Sequence, residues 1–471
     1  MTAGLFALLI ATVVSIEATR RLRIFPAFAR LSAHSRRAGR LLVRTGVSEW
    51  AKERALQLAS RRMFGLAIAA ASRLALVAAP FLLIFWIDRR HPYGLARTWT
   101  DWPARFWGFG LTSAYILVRR LLGKGDRMLQ HAGLGVRSLL DMSFDMERAV
   151  HGRRATALQP GAPVFICGVA RSGTSILLRE LHREGAFASL SYRDLPFPLA
   201  PNLWMRLNAG RSRSIAAVER GHGDGLLHDL DSPEAIEEVF WLCHEGGRFR
   251  RATHLHPISP RAQTFAAFDD YMRLVLLRCG NTRYLSKNNA NVMRLPGLVA
   301  RLPDAILIHP FRDPLQQAES LRRQHLRAHR LAAADPFRTR FMTWLGHHEF
   351  GADHRPIRFP DSAAATSKPG NDPAHVEYWL RIWIDTYRHL TSQPGAVRAH
   401  QHFLDYDGLC EDPDGTSRRI GRMLGLQISP SFDRIRPAVR HAVCPCDPAL
   451  LAEARTVHAE LRERAIATPS Q

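Results

Sequence analysis

The rhythm of hydrophobic positions changes near residue 160. Before it, apolar residues fall in runs flanked by arginines. After it, short apolar bursts alternate with helical spacing. The early runs are "GLFALLIATVVSI" (4–16), "FGLAIAAASRLALVAAPFLLIFWI" (64–87) and "FWGFGLTSAYILV" (106–118). A helix needs about 20 apolar residues to cross a bilayer. Only the second run has that length, and Arg73 interrupts it. The first has no basic residue ahead of it and no small-residue cleavage site, so it does not read as a signal peptide.

Residues 152–162, "GRRATALQPGA", read as a linker. Beyond it the pattern predicts a buried strand at "PVFICG" (163–168). A helix follows over 174–184, with Ile176, Leu177, Leu178 and Leu181 on its apolar face. A helix is expected over 231–244, capped by Ser232 with Pro233 at its first position. Strands "RYLSK" (283–287) and "DAILIHPF" (304–311) are each followed by a helix, near 291–301 and from Pro314 to about Arg330. A long helix over 373–390, a strand over 401–407 and a helix over 413–424 complete the pattern. Strand, crossover helix, strand is the order of a parallel sheet covered on both faces. The expected fold class is therefore α/β, a parallel β-sheet flanked by helices. The expected division is a helical, membrane-associating region over 1–150 and a catalytic domain over 160–471.

Charge sharpens the picture of the N-terminal region. The 471-residue chain carries a formal net charge of +23. Its first 150 residues hold 23 Lys/Arg against 9 Asp/Glu. Such an excess suits nucleic acid, a membrane surface or an anionic substrate. The apolar runs beside it favour the membrane, and no nucleic-acid partner is expected. The six cysteines are scattered and form no Cys-x-x-Cys, as for reduced thiols in the cytosol. His441, Cys444 and Cys446 in "HAVCPC" have metal-ligand chemistry, but a loop with two ordinary thiols is the simpler reading. No metal is expected.

The candidate chemistry begins at "VFICGVARSGTSILLREL" (164–181). Gly168, four residues, Gly173, Thr174 and Ser175 have the spacing of a phosphate-binding loop between a strand and a helix. Backbone N–H groups and the helix N-terminus of such a turn suit a phosphate or sulfate. The lysine of a nucleotide triphosphatase is replaced by Thr174, and Arg171 sits inside the loop. An arginine fork binds two oxygens of an anion together. That arrangement fits charge at a leaving oxygen better than a metal-bridged triphosphate.

Here the chain resembles a family. "FICGVARSGTS" is similar to the 5′-phosphosulfate loop of the sulfotransferases. "LIHPFRDPLQQAESL" (307–321) resembles their 3′-phosphate segment, an arginine at a strand end and a serine eight residues on, here Arg312 and Ser320. The resemblance covers about 160–426 and implies sulfonyl transfer from 3′-phosphoadenosine 5′-phosphosulfate (PAPS) to an acceptor hydroxyl, leaving adenosine 3′,5′-bisphosphate (PAP). It implies Arg171, Ser172, Gly173, Thr174, Ser175, Arg312 and Ser320 as donor-binding residues. Lys287, ending "YLSK", matches the family's second lysine and would hold the sulfonyl group. Asp194 in "YRDLPF" stands where the membrane and carbohydrate branches keep their base, with His222 and His228 as alternatives. The tryptophan after the loop and the late Arg-Lys-Gly of the cytosolic members are absent, so adenine contacts do not transfer.

The rival readings are a P-loop kinase or NTPase, which lacks its lysine here, and a membrane-anchored binding protein on a sulfotransferase fold. A glycolipid or surface polysaccharide acceptor rests on analogy with the apolar N-terminal region alone. By the positive-inside rule the stretch from Arg20 to Arg62 and the catalytic domain face the cytoplasm.

Overall fold

The computed structural model describes residues 49–90, 126–208, 231–360, 372–427, 429–437, 440 and 445–466, with scattered positions elsewhere. The chain forms two compact units, Met1–Asp126 and Arg127–Gln471.

In the first unit, helix α1 (Glu49–Arg90) runs for 42 residues and contains the apolar run 64–87, with Pro80 inside it. Its segment Gln57–Arg89 is long and apolar enough to cross a membrane by length and composition. Phe64, Leu74, Leu82 and Trp86 on it are exposed. The expected run 106–118 lies outside the described residues, and 4–16 does so in large part.

The second unit is built on a five-stranded parallel sheet. Its strands are β1 (Val164–Ile166), β2 (Phe187–Ala188), β5 (Arg283–Lys287), β6 (Ile306–Phe311) and β7 (Gln401–Asp405). Their order is β2-β5-β1-β6-β7, and every neighbouring pair is parallel. A two-residue pair, β3 (Val218–Glu219) and β4 (Leu227–His228), stands apart as an antiparallel ribbon. β1 is the central strand and is buried on both faces. Phe165 packs with Phe240, Trp241 and Phe268 on one side. Val164 and Ile166 pack with Leu177, Leu181 and Leu404 on the other. Burial on both faces is why this strand reads as a continuous apolar run rather than an alternation.

The covering helices include α2 (Arg137–Thr156), α3 (Thr174–Arg183), α4 (Glu238–Phe249), α5 (Ala262–Cys279), α6 (Pro314–Ala334), α7 (Val376–Thr391) and α8 (Pro448–Glu463). α2 packs on α5. Its buried Glu147 accepts bonds from the Asn202 N–H and side-chain amide and from the Leu203 N–H. Residues 137–156 therefore belong to the unit that carries the sheet, and the expected linker begins inside the last turn of α2. The helix expected from Ser232 starts later, at Glu238. Residues ahead of it are drawn into extended pairing, with Pro233 bridged to Ser191 and the Glu234 N–H donating to the Leu190 carbonyl. The strand expected over 401–407 ends at Asp405, whose side chain caps the next helix at Asp407 and Gly408.

Candidate active site

The C-terminal ends of β1, β5 and β6 lie side by side, where parallel sheets present their binding crevices. The loop after β1 leads into α3. Its last residue, Gly173, has φ +93, and a Cβ there would fall 2.3 Å from the Tyr406 ring. Both conditions demand glycine. Arg171 also has a positive φ, +69, which side chains other than glycine rarely adopt. The buried Ser172 hydroxyl donates to the Val169 carbonyl at 2.8 Å, so that side chain serves the loop itself. Gln317 of α6 donates to the Val169 and Ala170 carbonyls at 3.3 and 3.0 Å and is held in turn by the Trp383 indole. Two helices thus brace the turn.

Asp313 caps α6 through the Gln316 N–H at 2.8 Å, with Pro314 at the helix start. This fixes Arg312 at the end of β6 and Ser320 two turns along the helix. Both are buried. Arg171 Nε donates to Ser320 Oγ at 3.1 Å, across 149 residues of sequence. Burial lowers the Arg312 guanidinium below its ordinary value; Asp407 opposes this and the charge of Arg171 adds to it. Among the described residues Arg312 Nε has no partner. Two arginines close enough to perturb each other, one with a buried donor unused, form a site shaped for an anion.

Lys287 ends β5 beside Ile166 of β1 and is 8% exposed. It lines a cavity of about 70 Å³ whose wall includes the loop residues Gly168, Val169 and Ala170. The same cavity is lined by His347, Glu349 and His354. Asn289, buried two residues beyond Lys287, donates to Glu349 at 2.9 Å.

Asp194 sits elsewhere. It closes the turn Tyr192–Asp194, where one carboxylate oxygen accepts from the Ser191 N–H at 2.9 Å and from its hydroxyl at 3.2 Å. The other oxygen takes Arg278 Nε at 3.0 Å. The residue is 2% exposed and is not part of the cavity wall beside the loop. Burial pushes its carboxyl above the usual carboxylate range, against the charge of Arg278 and the Ser191 bonds. Its neighbour Arg193 pairs with Asp231 instead. A base must reach the acceptor, and this carboxylate is spent on the fold. His222 lies outside the described residues, as does His228 beyond its backbone. The stretch 441–444, with His441 and Cys444, also lies outside them. Among the described residues no cluster of three or more His, Cys, Asp or Glu suited to a metal occurs.

Residues 163–359 match the sulfotransferase family model. This segment belongs to the sulfotransferase family. It spans the loop, Lys287 and the Arg312–Ser320 pair. The fold is also similar to solved bacterial sulfotransferases. One from Mycobacterium tuberculosis H37Rv has TM-score 0.37 and 14% identity, over 70% of this chain and 82% of that one. One from Mycobacterium avium has TM-score 0.35 and 15% identity, over 68% and 72%. One from Alicyclobacillus acidocaldarius has TM-score 0.30 and 13% identity, over 65% and 94%. No curated protein matches the chain. The assignment therefore rests on the family segment. Sulfonyl transfer is the chemistry it carries.

The pair His347 and Glu349 escaped the sequence reading. The signal present was "GHHEFG" (346–351), a dense group of titratable residues between two glycines. Nothing in its local spacing places it in one cavity with Lys287.

Proposed function

We propose that the protein transfers a sulfonyl group from PAPS to an acceptor hydroxyl. In this reading the loop N–H groups and Arg171 hold the 5′-phosphosulfate, and Arg312 with Ser320 holds the 3′-phosphate. Lys287 stands at the sulfonyl group. Fixed cations and N–H donors stabilise the charge that grows on the bridging and sulfonyl oxygens as the bond breaks. The observation that carries the reading is the Arg171–Ser320–Arg312 cluster, with a buried arginine donor left unused. No metal takes part in this scheme.

Calorimetry tests it. PAP is expected to bind without magnesium, and more tightly than adenosine 5′-phosphate. R312A should erase that preference, a loss of about 1–3 kcal/mol. Equal affinity for both nucleotides, or binding only with magnesium, would favour the kinase reading. The first unit is proposed to hold the enzyme at a membrane through α1, with the catalytic unit in the cytoplasm.

A further inference from the structure

The cavity between the loop and the Gly346–Gly351 turn holds a second constellation. Gly346 has φ +79, and a Cβ there would meet the Glu238 side chain at 2.4 Å. Glycine lets the turn press against α4 and brings His347 to the cavity wall. His347 Nδ1 lies 3.6 Å from Glu349 Oε2, an ion-pair distance rather than a hydrogen bond. The other Glu349 oxygen is held by Asn289. Asn289 Oδ1 is buried and has no partner among the described residues. Burial alone would raise the Glu349 carboxyl; the His347 contact and the charges of His347 and Lys287 outweigh it and hold the group below the usual carboxylate range. The two other histidines on this wall are engaged. His348 Nδ1 lies against Asp353. His354 bonds the His348 carbonyl and the Tyr378 hydroxyl, and burial pushes it down to about 4.

The rest of the wall is mostly apolar, with Val169, Leu255, Leu321, Ile357, Trp379 and Ile382. His347 also borders a second cavity, of about 500 Å³, where Phe337, Phe341, Met342 and Phe350 stand among polar residues such as Arg338 and Asp353. A hydroxyl brought to His347 through the cavity beside the loop belongs to a molecule whose body meets mostly apolar side chains.

We propose that His347, positioned by Glu349, is the proton acceptor for an alcohol with an apolar body. The proposal rests on the sulfonyl-transfer reading above. The acceptor oxygen bonds to sulfur while the bond from sulfur to the bridging oxygen breaks. That bond's electron pair stays on the phosphate oxygen of PAP. The hydroxyl proton passes to His347 Nε2, and the Glu349 carboxylate stabilises the imidazolium. Glu349 is a positioning residue, because it acts through His347.

Two acceptors separate base catalysis from structure. The n-octanol hydroxyl stays protonated in water, whereas p-nitrophenol is ionised at mildly alkaline pH and needs no base. With the full chain and radiolabelled PAPS, H347Q and H347N are expected to lower the n-octanol to p-nitrophenol rate ratio about 10²–10⁴-fold. PAP affinity should be unchanged. E349Q should lower the same ratio by less, through kcat rather than KM. A readout independent of turnover is the His347 tautomer by nitrogen-15 NMR. The Nδ1–H form is expected in the parent, with a shift toward Nε2–H in E349Q. Equal loss toward both acceptors, or an unchanged ratio in both His347 variants, overturns the base. An unmoved tautomer in E349Q overturns the role of Glu349. A parent that binds PAP and uses p-nitrophenol but not n-octanol overturns the apolar alcohol. A parent that fails to bind PAP overturns the donor reading instead, and the NMR result still decides the pair.

Discussion

Arg171 holds a left-handed backbone conformation, which costs a non-glycine residue about 1–3 kcal/mol. Such strain persists where the side chain is needed, so stability and transfer should separate here. R171G is expected to melt no lower than the parent and to lose transfer. R171A should lower turnover by more than it lowers PAP affinity, because its partner charge develops in the transition state. Calorimetry beside single-turnover kinetics checks this, and unchanged turnover with a raised donor KM would make Arg171 a binding residue only. Its bond to Ser320 predicts that R171A and S320A will not add. Asp194 illustrates the opposite balance. D194N leaves Arg278 without its counter-charge, so we expect a loss of about 1–3 kcal/mol in stability. Turnover per folded molecule should hold. Urea melts and active-site titration distinguish the two, and a collapse of turnover with unchanged stability would restore Asp194 as the base.

At the scale of elements, the site depends on how helices are joined to strand ends. The junction of α4 and α5 is tied by Glu245, which accepts from the Arg261 N–H and guanidinium, Thr264 Oγ1 and Arg248. Burial would raise its carboxyl, but these bonds outweigh it and lower it from 4.5 to about 2. A folded value below the unfolded one means that the contribution is fully present above about 4.5. It is lost as pH falls from there toward about 2. E245Q should therefore lower the melting temperature at neutral pH and narrow the gap to the parent as pH falls through that window. A gap independent of pH would show that the carboxylate's charge is not what ties the junction. The sequence placed the helix after β1, Pro314 at the start of α6 and the ends of β5 and β6, because caps and apolar faces are written in local spacing. It misplaced the start of α4, because Pro233 bridges Ser191 and Glu234 gives its backbone N–H to the Leu190 carbonyl.

For the whole molecule the proposed membrane location rests on α1. α1 carries exposed Phe64, Leu74, Leu82 and Trp86 along a helix of 42 residues. Water does not favour such a surface. The full-length protein is expected in the membrane fraction, released by detergent and not by salt. Recovery in the soluble fraction at moderate salt would defeat the membrane reading. Arg97→Cys should then be labelled by a membrane-impermeant maleimide from outside the cell if α1 spans, and protected if the apolar segments lie in the interface as a hairpin.

The sequence by itself left β2, α2, α5 and α8 unread but determined strands β1, β5, β6 and β7, the glycine-rich turn, and the arginine and serine of the second block. Each is a matter of backbone preference or of helix faces a few residues apart, and these are local. The sheet order decided the rest. It set β5 and β6 on either side of β1, so that Lys287 and Arg312 flank one loop. It joined Arg171 to Ser320 across 149 residues, Asp194 to Arg278 across 84 and Asn289 to Glu349 across 60. Partners that distant are chosen by packing and burial, which no periodicity along the chain records. For that reason the loop and the second block, proposed to hold the donor, were legible as motifs, whereas the pair His347 and Glu349 emerged only from the folded chain.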